Sequence, residues 1–151
     1  MKMNFSKLLV PIKGISADDA AIRLACQIAK LNKARVTAIH VIEIQRNLPL
    51  DVENEAQLRA AELVLERAEE IAKPFHVAFT TEVLQARTAG VALVDEAIAA
   101  GVDLIVMGVP FRRVVGGEFE LGATPHYVLQ HAPCPVWLCR EAITEETARA
   151  D

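Results

Sequence analysis

Five short apolar runs, each followed or preceded by a stretch of helical spacing, limit the folds open to this chain more than any other feature. The runs are Leu8-Leu9-Val10-Pro11-Ile12, Val36 to Ile44, Val77 to Leu84, Leu104 to Met107, and Val136 to Cys139. Most are apolar at successive positions and rich in Val and Ile, as a parallel strand covered on both faces requires. Between them, Asp18 to Leu31 places Ile22, Ala25, Cys26 and Ala29 on one side of a helix. Glu55 to Lys73 does the same with Ala61, Val64, Leu65, Ala68 and Ala72, and Pro74 is expected to stop it. A third helix, Ala89 to Ala100, is expected to bury Val91, Val94 and Ile98 and to end at Gly101. A fourth is expected to start near Thr124-Pro125, with the threonine hydroxyl as N-cap and proline in the first helical position.

The order β-α-β-α-β-α-β-α-β demands right-handed crossovers and a mainly parallel sheet with helices on both faces. The expected fold is therefore α/β: a doubly wound, Rossmann-like sheet of five strands in the order 3-2-1-4-5, with strands one and four side by side at the switch point. At 151 residues, 52% of them apolar, the chain suits one domain. That domain is expected to span residues 1–141, with a charged tail over 142–151.

Sixteen basic against 20 acidic residues leave a net charge of -4, which gives no broad basic surface for nucleic acid. Apolar runs stay shorter than the roughly 18 residues of a membrane span, and the opening lacks a signal-peptide core, so a cytoplasmic protein without membrane insertion is expected. Three cysteines fit a reducing compartment. Cys134 and Cys139, on opposite faces of the last strand, are read as core packing and not as metal ligands.

Ligands of open parallel sheets sit beyond the carboxyl ends of the strands at the switch point. Pro11-Ile12-Lys13-Gly14, the His40-Val41 region and Met107-Gly108 with its following loop should converge there. That loop carries several glycines and ends on a helix N-terminus, where backbone N–H groups favour anions. Glycines serving turns alone explain it equally well. His40 is read as a packed strand histidine, and His126 and His131 need no catalytic role. Neither a Gly-x-Ser-x-Gly elbow nor a Gly-x-x-x-x-Gly-Lys-Ser/Thr loop, His-Glu-x-x-His or Cys-x-x-Cys occurs.

Several segments together resemble the universal stress proteins: Lys7-Leu-Leu-Val-Pro11, Ile39-His-Val41, Asp103-Leu-Ile-Val-Met-Gly108, and Gly122-Ala-Thr-Pro-His-Tyr-Val-Leu-Gln-His-Ala-Pro-Cys-Pro-Val136. Members of that family that hold ATP carry glycine, two residues, glycine, nine residues, glycine, then serine or threonine. Gly108 and Gly122 match the outer glycines; the second falls on Phe111, ten residues separate it from Gly122, and Ala123 replaces the hydroxyl. Lys13 stands where the family usually has an aspartate.

The resemblance implies a site made of Pro11, Ile12, Lys13, Val41, Met107, Gly108, Gly122, Ala123 and Thr124. Arg112 and Arg113 are candidate phosphate contacts, and ATP or AMP is the candidate ligand. It also implies a homodimer through the last strand, Pro135 to Arg140, whose apolar edge would otherwise leave backbone groups unpaired. Gly117-Glu-Phe-Glu-Leu-Gly122 with Cys-Pro-Val-Trp is similar to stress domains attached to membrane transporters, which makes a transporter a candidate partner. Two non-enzymatic readings stay open: a regulator that senses an adenine nucleotide or related anion, and an interaction protein with a degenerate site. A third reading is an enzyme that hydrolyses ATP weakly, the one enzymatic activity the sequence leaves open.

Overall fold

The computed structural model describes residues 4–111 and 117–144. Its strands are β1 (Lys7–Pro11), β2 (Arg35–Glu43), β3 (Ala78–Ala86), β4 (Leu104–Val109) and β5 (Val136–Arg140), and its helices are α1 (Ala17–Asn32), α2 (Glu55–Ala72), α3 (Ala89–Ala100) and α4 (Ala123–His131). The strands form one sheet in the order β3-β2-β1-β4-β5, and every neighbouring pair is parallel. The expected doubly wound α/β fold and its strand order are what the chain adopts.

Period-two alternation along the strands divides the core between two faces. Leu8, Val10, Leu104 and Val106 join Ile22, Ala25 and Cys26 of α1 and Leu65 and Ala68 of α2 in one cluster. Leu9, Ile105 and Met107 point the other way and meet Leu93, Val94 and Ala97 of α3 and Val128 of α4. Cys139 packs against the first cluster and Cys134 against the second, so the two thiols do face opposite sides.

The helix α2 ends at Ala72, one residue short of the expected end, and Pro74 lies in the 3-10 turn Lys73–Phe75 that follows it. Two local expectations need correction. In α3, Val94 is buried but Val91 is 38% and Ile98 60% exposed; Ala89, Gly90, Leu93 and Ala97 make the buried face instead. At α4 the N-cap is Gly122, with no side-chain cap, and Thr124 lies inside the helix. Pro125 falls in third position, still within the first turn, where an N–H has no intrahelical acceptor to lose.

Among the described residues, no helix is long and apolar enough to cross a membrane.

Candidate functional site

The exit of β1 is held rigidly. Pro11 and Ile12 are buried, the Ile12 N–H donates to the Ile39 carbonyl at 2.9 Å, and the Ile12 carbonyl lies 2.9 Å from His40 Nδ1. His40 thus ties β2 to the end of β1. The chain then turns through Gly14, whose φ of +88° suits glycine. Val64 Cγ2 comes within 2.7 Å of where a Cβ would stand, which excludes a side chain a second time.

Asp18 organises this turn from the first turn of α1. Its carboxylate accepts the N–H groups of Lys13 at 3.1 Å, Gly14 at 2.7 Å and Ile15 at 3.0 Å. Burial pushes its pKa up, and the three backbone donors pull against that shift, with a smaller upward push from the charge of Asp19.

The exit of β4 approaches α1 closely. A Cβ on Gly108 would stand 2.1 Å from the Ala17 carbonyl oxygen, so this glycine is needed for helix and strand to touch. Gly122, by contrast, has only Pro125 Cδ near, at 3.7 Å, and its φ of -64° is open to any residue. Ala123 and Thr124 follow it in the first turn of α4.

These exits enclose a cleft of about 310 Å³. Of the expected residues, Pro11, Lys13, Met107, Gly108 and Gly122 line it, together with Ile15, Asp18, Val109, Pro110, Glu120 and Pro125. Ile12 lies beneath the turn and lines an adjoining hollow of about 410 Å³ between α1 and α2. Val41 packs against the cluster that holds Met107 and is not part of the lining. Ala123 and Thr124 border the cleft at Gly122 without lining it, and Arg112 and Arg113 lie outside the described residues.

The ring of Phe111, which replaces the family's second glycine, turns away from the cleft. It lines a separate apolar groove beside β5 with Val109, Phe119, Leu121, Leu138 and Ile143, and the Arg140 guanidinium lies 5.5 Å from its centre. Along 119–122 the residues alternate: Phe119 and Leu121 face the groove, Glu120 and Gly122 the cleft. One extended segment therefore separates the two.

Asp18 and Glu120 escaped a reading based on glycine spacing. An acidic residue in a helix's first turn is an ordinary favourable placement, so Asp18 carried no signal beyond that. Chemically, the cleft offers apolar walls, one exposed lysine, two carboxylates and a helix N-terminus. Among the described residues no group of three or more His, Cys, Asp or Glu is placed to hold a metal ion.

The chain is thus a small parallel α/β domain with a hollow at the switch point of its sheet, beside the start of α4. The model of the universal stress protein family matches residues 4–140, and the chain belongs to that family. A universal stress protein of Methanocaldococcus jannaschii is 28% identical over 144 residues, covering 91% of this chain and 83% of that protein. Among solved structures, the universal stress protein of Archaeoglobus fulgidus in complex with dAMP is 17% identical with a TM-score of 0.70, covering 90% of this chain and 98% of that one. A family protein of Arabidopsis thaliana with AMP bound is 14% identical with a TM-score of 0.65, covering 95% and 99%.

Proposed function

We propose that the chain is a regulatory protein that holds an adenine nucleotide in the switch-point cleft and works as a homodimer through β5. The observation that carries this reading is the convergence of Pro11, Lys13, Met107, Gly108 and Gly122 on one hollow at the start of α4. The dAMP and AMP complexes of the Archaeoglobus and Arabidopsis proteins support the ligand class. In this arrangement Pro11, Met107 and Val109 flank the base. Gly122 admits the phosphate to the N–H groups of Ala123 and Thr124, with Lys13 as counter-charge and Arg112 and Arg113 as further contacts. Val41 then acts through packing and not through contact. The domain ends at Glu141, the protein is cytoplasmic, and its work belongs to the stress response that the family name implies.

Calorimetric titration with ATP, ADP, AMP and cyclic nucleotides tests the ligand, alongside mass spectrometry of whatever leaves the freshly purified protein. Heat or a thermal shift from a monophosphate is expected. Silence from every nucleotide at millimolar concentration would leave the second reading, an interaction protein with a degenerate site and a transporter among its candidate partners. The apolar groove beside β5, with Phe119 47% and Ile143 52% exposed, is what favours that alternative.

A further inference from the structure

Glu141 directly follows β5, and three of its polar groups reach the frame of the cleft. Its N–H donates to the Val109 carbonyl at 2.9 Å. Its Oε1 accepts the Phe111 N–H at 3.1 Å, and its Oε2 accepts the Ser16 hydroxyl at 2.7 Å. Val109 and Pro110 line the cleft on the β4 side, and Ile15, next to Ser16, lines it on the side of the β1–α1 turn. One carboxylate at the edge of the sheet therefore grips both walls.

Two features make this grip more than general packing. Ser16 occupies the N-cap position of α1, yet its side chain makes no capping bond; the hydroxyl goes to Glu141 instead. The turn Lys13–Ile15 hangs by its N–H groups from Asp18, itself part of α1, so turn and helix start move together. That unit meets β4 closely where the Ala17 carbonyl oxygen faces Gly108, at the end of the packing of α1 on Leu104 and Val106. The bond from Ser16 to Glu141 ties the same helix start to the residue that follows β5, on the cleft side of that packing.

We propose that Glu141 is a positioning residue: by joining Ser16 to Phe111, it holds the two walls of the cleft at the separation a ligand requires. As a statement about affinity it rests on the reading that an adenine nucleotide occupies the cleft. Glu141→Ala removes the strut, whereas Glu141→Gln keeps a carbonyl oxygen for the Phe111 N–H and an amide that can donate to the Ser16 oxygen. By calorimetry, Glu141→Ala is expected to weaken AMP binding about tenfold, and Glu141→Gln to stay within about threefold of the wild type. Adding Ser16→Ala to Glu141→Ala should cost little more, since both remove the same bond.

Hydrogen exchange without ligand supplies an independent readout. Glu141→Ala should speed exchange at Lys13–Ile15 and at Val109–Phe111 while β2 keeps its protection. Unchanged exchange in both walls overturns the strut. So does an alanine variant that binds AMP as the wild type does, or a glutamine variant as weak as alanine. If the wild type binds no nucleotide, the nucleotide reading falls alone, and the exchange pattern still decides whether Glu141 holds the walls.

Discussion

A methyl group added at Gly108 would meet the Ala17 carbonyl oxygen at 2.1 Å, a contact that only a shift of α1 or β4 can relieve. Gly108→Ala is therefore expected to cost about 1–3 kcal/mol, read as a lower melting temperature with or without nucleotide. Wild-type stability in that variant would show that the helix yields easily. Asp18 makes a different kind of claim, about pH. Burial holds its carboxyl above the ordinary aspartate value of about 3.9, so the native protein binds this proton more tightly than the unfolded chain. The group's contribution to stability is then fullest below about pH 3.9 and is lost as pH rises through the folded value. Asp18→Asn cannot titrate and serves as the reference. Urea unfolding should show the wild type gaining on it as pH falls from about 7 to about 4, and a loss instead would mean that the three backbone donors outweigh burial. At this scale the sequence was only partly readable. Spacing marks Gly108 and Gly122 alike, but one glycine is dictated by a carbonyl oxygen on another element and the other is not. No pattern within a single segment carries that distinction.

The start of α4 shows what an element contributes that its residues do not. Gly122 caps the helix without a side chain, and nothing in the fold needs its small size. Gly122→Asp supplies a preferred N-cap residue, so stability should hold or rise by a few tenths of a kcal/mol, about the difference between glycine and the better caps. A carboxylate there also occupies the place assigned to phosphate. AMP affinity should fall by more than about tenfold while the melting temperature stays put. Full affinity in the variant would put the phosphate elsewhere. The helices also show where periodicity misleads. In α3, Val91 and Ile98 with Val94 define a plausible apolar stripe, yet Val91 and Ile98 are exposed and the inward face adds Leu93 and the small residues Ala89, Gly90 and Ala97 to Val94, with Gly90 lying against α4. A Cβ on Gly90 would already lie 3.0 Å from the Tyr127 ring. Close helix approach selects Ala and Gly, which a hydrophobicity pattern discounts. Similarly, Pro125 suggests a helix start two residues late, because proline is tolerated throughout the first turn and not only at its first position.

For the molecule as a whole, runs apolar at successive positions signalled strands covered on both faces, and alternation with helices left little freedom in the topology. Element order and strand order were accordingly legible, while the packing of Val41 on the Met107 cluster, outside the cleft lining, was not, because a strand's place in the sheet does not say which of its side chains border an opening. The sheet leaves two edges, β3 and β5, and the apolar groove adjoins the second. Along β5 the ladder to β4 uses alternate residues: the Ile105 N–H donates to the Pro135 carbonyl, and the Glu141 N–H donates to the Val109 carbonyl. By that alternation Trp137, Cys139 and Glu141 face β4 with their N–H groups, and Val136, Leu138 and Arg140 point theirs to the open edge. A second copy pairing there would use the Leu138 donor and cover its side chain, which is 37% exposed. Leu138→Pro removes an outward donor only, so the β4–β5 ladder and the fold should survive, as edge prolines allow. The expected result is a rise of at least about tenfold in the dimer dissociation constant by light scattering or sedimentation, with the circular dichroism spectrum unchanged. A wild type that is monomeric at micromolar concentration would reject pairing through β5, and so would a proline variant that remains as dimeric as the wild type, because the dimer would then have to rest on a surface that does not need this edge.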